Sequence, residues 1–100
     1  MTISTHATFV ANTTAQSLAT ANIAVPTWAT QMLVFVETAN AVVRYRADGT
    51  APTANVGTPI PASLSTPWSI EHAGAIGAAQ FICANGSTAN CTLEFRKKLV

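Results

Sequence analysis

The chain has 100 residues, with charged residues at 9% and a formal net charge of +1. That length implies one domain with a single modest core. The near-neutral balance argues against an electrostatic nucleic-acid binder, and the low charge with many β-branched residues argues against disorder. A surface of hydroxyls and methyls rather than ions repels its neighbours weakly, a property suited to life packed against other subunits.

The first residues, Met1 to His6, show neither a basic segment nor a continuous apolar run, so export through a signal peptide is not expected, and no run is long enough to span a membrane. Thr5 to Val10 reads as a first strand with Ala7 and Phe9 on one face, and Asn12-Thr13-Thr14 as a turn. Gln16 to Ile23 reads as a strand, or as a helix on the strength of its alanines, and Pro26-Thr27 ends it. Gln31 to Glu37 reads as a strand and holds the best apolar run, Met32 to Val36, whose unbroken apolarity predicts burial on both faces, or one face in the core and one in a subunit contact.

A strand over Val42 to Arg46 follows a short connection, which predicts an antiparallel hairpin with the preceding strand. Val43, Tyr45 and Ala47 point one way; Val42, Arg44 and Arg46 point the other. Asp48-Gly49 breaks this strand, and Pro52 keeps the next residues out of a ladder. Asp48 to Pro61 is a long connection rich in Gly, Pro, Thr and Asn, of the kind that is often functional, with Val56 and Ile60 as anchors of a minor strand.

Pro67 to His72 reads as a strand with Trp68, Ile70 and His72 on one face, followed by a bend at Gly74 to Gly77. Ala79 to Ala84 places Phe81 and Cys83 together with Ile82 opposite. Asn85-Gly86-Ser87 signals a hairpin turn, and Asn90 to Lys97 closes the chain with Cys91, Leu93 and Phe95 inward. The expected fold is all-β: a small antiparallel β-sandwich or jelly-roll-like barrel of six to eight short strands, in one domain over residues 1–100.

Chemistry-bearing residues are few. The Asn85-Gly86 hairpin could set Cys83 opposite Cys91, but two reduced core thiols are the simpler reading, and no zinc spacing is present. His6 and His72 have no convergent ligands nearby in sequence, and the four carboxylates (Glu37, Asp48, Glu71 and Glu94) read as solvated charges or partners of Arg44, Arg46 and Arg96. No nucleophile elbow or phosphate loop accompanies the serines and glycines, so no enzymatic activity, catalytic residue, metal or cofactor is expected. Trp28 and Trp68 could form a sugar-stacking platform; core filling and edge sealing are the plainer roles. The basic tail, Arg96-Lys97-Lys98-Leu99-Val100, could reach an acidic neighbour or simply fray.

Three segments together resemble small tailed-bacteriophage virion proteins: Val42-Val43-Arg44-Tyr45-Arg46-Ala47-Asp48-Gly49-Thr50-Ala51-Pro52-Thr53-Ala54, then Pro67-Trp68-Ser69-Ile70-Glu71, then Ile76 to Ser87. The resemblance implies a particle component without catalytic residues, and within that class a capsid cement or decoration protein. Such a protein would bind the outer surface of the major capsid protein shell and itself form a homodimer or homotrimer, with no nucleic-acid or membrane partner. It would reside in the virion after assembly in the host cytoplasm. The implied mechanism is burial of apolar and Thr-rich surface with backbone pairing at an exposed edge. The interface candidates are Arg44, Arg46, Asp48, Thr50, Pro52, Thr53, Val56, Ile60, Trp28 and Trp68. A tail, fibre or head-fibre component is the structural alternative, and a carbohydrate-binding module is the alternative of another class.

Overall fold

A computed structural model describes residues 4–63, 65–85 and 88–97. Among these residues, eight strands run β1 Ser4–Asn12, β2 Gln16–Ser17, β3 Gln31–Val36, β4 Val42–Arg46, β5 Thr58–Pro61, β6 Trp68–Ile70, β7 Gln80–Cys83 and β8 Thr88–Arg96, with one short helix, α1 Ala73–Ala78. They form two four-stranded antiparallel sheets, ordered β1-β8-β3-β6 and β2-β7-β4-β5. Each strand pairs with the one that would face it if a single long hairpin were rolled up: β1 with β8, β2 with β7, β3 with β6, β4 with β5. That is the jelly-roll arrangement, and the β3–β8 and β4–β7 pairings knit each sheet together.

Period-two alternation explains the core. On β8, Ala89, Cys91, Leu93 and Phe95 are buried while Thr92, Glu94 and Arg96 turn outward. Phe9 and Ala11 of β1, Val43 of β4, and Phe81 and Cys83 of β7 fill the same cluster. On β3, Met32, Val34 and Val36 enter the core and Leu33 is buried on the other face, while Phe35 on that face is only half-buried.

Several expectations are corrected. β3 and β4 do not form a hairpin, because they belong to different sheets, and residues 37–41 carry the chain from one sheet to the other. A backbone turn closes that corner, Ala41 donating to Thr38 O, with Asn40 at φ 64. β7 and β8 likewise part to opposite sheets, so Cys83 faces Val43 in its sheet while Cys91 faces Phe9 and Val36 in the other. Both thiols are free and buried. Gly86 and Ser87 of the expected turn lie outside the described residues, as do Lys98, Leu99 and Val100 of the tail.

The strand expected over residues 16–23 shrinks to β2 because hydroxyls compete for the backbone. Thr20 N donates to Ser17 Oγ and Ala21 N to Ser17 O, so the chain turns after Ser17 and buries Leu18. The strand expected to reach His72 stops at Ile70; His72 caps α1 instead, accepting from Gly74 N through Nδ1. Alanine-rich sequence then favours a helical turn over a bend, and Ile76 pins it to the core.

Candidate functional site

The site is built on the end of β4 and the loop over residues 47–57. Asp48 starts the loop as an Asx turn, its Oδ1 accepting from Thr50 N at 3.2 Å, and Gly49 at φ +84 reverses the chain. Arg46 Nε donates to Asp48 Oδ1 at 3.1 Å and its Nη2 to Oδ2, a bidentate pair at the surface. The Arg46 guanidinium and the Thr50 N–H, in that order, hold the Asp48 carboxyl below its ordinary value.

A second tight turn follows. Thr53 and Val56 exchange backbone bonds, Thr53 N to Val56 O at 2.9 Å and Val56 N to Thr53 O at 3.3 Å, while Thr53 Oγ1 accepts from Val56 N at 3.0 Å. Arg44 fastens this turn to the sheet: Nε donates to Ala54 O at 3.1 Å and Nη1 to Gly57 O at 2.8 Å. Gly57, at φ +131, lies so close to β4 that a Cβ there would meet Tyr45 O at 3.1 Å and the Cβ atoms of Arg44 and Pro52 at 3.2 Å. The loop is therefore a rigid rim whose backbone groups are largely answered from within the loop and β4.

Between rim and strand opens a cleft of about 500 Å³ lined by Tyr45, Arg46, Ala47, Asp48, Val56, Gly57 and Thr58. Val56 stands on it 47% exposed. Trp68, from the edge of the opposite sheet, reaches across: its Nε1 donates to Tyr45 Oη at 2.9 Å, with the rings edge-on at 6.1 Å. Tyr45 in turn packs on core Phe81, also at 6.1 Å. One aromatic chain thus links the surface of the cleft to the centre of the sandwich and seals the seam between the sheets.

The structure brings together Arg44, Arg46, Asp48, Thr50, Thr53 and Val56 on or beside this rim, with Trp68 at its flank. It does not bring in the remainder. Ile60 is a core residue at 2% exposure, and Pro52 is buried beneath the rim, because alternation on β5 and the approach of Gly57 turn both inward. Trp28 is half-buried and packed on the hydrophobic core. Four residues that line the cleft are not among the interface candidates: Tyr45, Ala47, Gly57 and Thr58. Alternation puts Tyr45 on the same face as Val43, and the polar handle of its phenol is the available signal that it ends at a surface.

Elsewhere on the outer face of the first sheet, Glu94 sits between His6 at 3.5 Å and Arg96 at 2.9 Å, and Gln31 donates to Glu71. A smaller depression of about 380 Å³ is lined by Thr8, Phe9, Val10, Glu37, Asn90 and Cys91. Burial pushes the Cys91 thiol up to about 12, so it remains protonated there at neutral pH. Among the described residues, no three His, Cys, Asp or Glu side chains cluster as a metal site requires, and no helix is long and apolar enough to cross a membrane. Compared with known protein families, curated proteins and solved structures, the chain has no significant match.

Proposed function

We propose that the chain is a structural protein of a tailed-phage particle, acting as a capsid cement or decoration protein on the major capsid protein shell. Fold alone does not choose a function, since jelly rolls serve capsid, lectin and other roles. The observation that carries the reading is the rim over residues 47–57. The first of the segments that resemble virion proteins, over residues 42–54, supplies most of this rim, which is held by internal hydrogen bonds against β4 and leaves Thr50 and Thr53 facing outward while Pro52 is buried. A preorganised loop loses little conformational freedom on docking, which favours tight repetitive contacts between subunits. Thr50, Thr53 and Val56 supply hydroxyl and methyl surface, and the Arg46–Asp48 pair supplies a polar marker for register. Each contact adds modestly, and many copies on one shell make the sum large.

One observation favours a second reading, a carbohydrate-binding module: Trp68 is 37% exposed beside an open cleft that also holds Arg46 and Asp48. The deciding experiment is copy number and position in purified particles, by quantitative gel and electron microscopy. Hundreds of copies over the shell support the cement reading. A handful at the tail or a vertex replaces it with a tail or fibre role. Absence from particles overturns the virion reading, and quenching of tryptophan fluorescence by glycans then tests the other.

A further inference from the structure

The two sheets have four edges, and three are protected against pairing with another chain. β2 and β6 are two and three residues long, too short to template a partner. β5 carries Pro59 and Pro61. Ala62 N bonds Ala41 O, so the alternation of the ladder turns the two proline nitrogens toward the free edge, where neither can donate. The fourth edge, β1, is nine residues long, contains no proline, and carries no Lys, Arg, Asp or Glu.

The register shows which β1 groups are free. β1 meets β8 with Val10 opposite Asn90, and Asn90 turns away from β1: its O accepts from Glu37 N and its N donates to Thr38 Oγ1. Val10 O correspondingly accepts from the Gln16 side chain on the far side of β1. By the antiparallel alternation, Ser4, His6 and Thr8 also aim their backbone N–H and C=O outward, and among the described residues nothing meets them.

We infer that β1 is a homodimer edge: two copies of this chain pair antiparallel through Ser4 to Thr8, joining their first sheets into one continuous sheet. The occupant is a second copy because the free groups are self-complementary about a two-fold axis. With His6 opposite His6 of the second copy, and Ser4 opposite Thr8, every free N–H and C=O of these residues finds a partner while the Gln16–Val10 bond stays intact. On the core-side face this seam carries only the small Thr5, exposed, and Ala7, half-buried, so no bulk on that face holds the copies apart. A chain of net charge +1 meets a copy of itself with little repulsion. The pairing stands or falls apart from the virion reading: solution mass tests the one, particle copy number the other.

The test uses the whole chain at about 100 μM, within the range in which weak edge pairing is populated. Light scattering after size exclusion should give twice the 10.4 kDa chain mass. Thr8→Pro removes an N–H that points away from β8, so it should leave the β1–β8 ladder and the circular dichroism spectrum in place while halving the mass. His6→Cys should form an intermolecular disulfide on mild oxidation, since hydrogen-bonded antiparallel pairs stand about 5.5 Å apart at Cα. Val10→Cys, remote from the axis, should not, and the native thiols are buried. If Thr8→Pro does not fold, the cysteine pair decides alone. A monomeric wild-type chain, a folded Thr8→Pro that remains dimeric, or crosslinking at position 10 in place of 6 overturns the inference.

Discussion

Replacing Gly57 by alanine isolates the strain on which the rim depends. At φ +131 the backbone is far from the region an L-residue adopts, a strain of about 1–3 kcal/mol. The added Cβ also meets Tyr45 O at 3.1 Å and two Cβ atoms at 3.2 Å. Tyr45 is in ladder register with Thr58, and Arg44 is tied to Gly57 O, so neither neighbour retreats without disturbing the β4–β5 pairing. Crowding of that kind adds about 1 kcal/mol or more. The total of about 3 kcal/mol corresponds to a fall in Tm of about 12–24 °C for a domain of this size. Gly49→Ala is the internal control: its φ is +84, but no atom lies within 4 Å of the new Cβ, so only about 1 kcal/mol is expected. Urea unfolding followed by tryptophan fluorescence measures both, with the m-value unchanged if the native and denatured states keep their compactness. Equal losses for the two variants would refute the claim that the close approach of Gly57 to β4 holds the rim in place.

Other outcomes follow from the same geometry. In a double-mutant cycle, Tyr45→Phe and Trp68→Phe should couple by about 1 kcal/mol, the net value of one hydrogen bond, and additive losses would show that the sheets do not communicate through it. The Asp48 carboxyl has a folded-state pKa below its ordinary 3.8, so its contribution is complete above that value and is lost as pH falls through the lower folded one. Asp48→Asn should therefore flatten the acid limb of the urea midpoint measured between about pH 5 and 2; an unchanged limb would remove Asp48 from the acid response. The buried thiols should react with an aromatic disulfide reagent only as fast as the protein opens, so rapid labelling of the native chain would contradict their burial.

Local periodicity made much of the fold legible. The inward set Cys91, Leu93 and Phe95, the pair Phe81 and Cys83 with Ile82 opposite, and the core-facing Met32, Val34 and Val36 all follow from side chains alternating across a strand. Sheet membership was not legible. A connection of a few residues reads the same whether it reverses a hairpin or carries the chain across a sandwich, so both β3–β4 and β7–β8 looked like hairpins. The choice is made by partners remote in sequence: β8 inserts between β1 and β3, and Asn85 fixes the β4 corner by donating to Asn40 O at 2.7 Å and accepting from Val42 N at 2.6 Å.

The same division holds at the candidate site. Asp48-Gly49, Pro52 and Thr53 announce a loop, because their backbone preferences and short-range hydrogen bonds are properties of neighbouring residues. That Arg44 turns back to hold carbonyls of the loop, that Pro52 and Ile60 are buried, and that Trp68 arrives from the other sheet to meet Tyr45 depend on contacts between distant segments. Sequence by itself determined the β character, the inward and outward faces of the main strands and the place of the loop, all consequences of local geometry. Tertiary structure alone decided which strands pair, which edge of the sheets is left open and which loop residues face solvent, because those follow from long-range hydrogen bonding and close packing that no local pattern encodes.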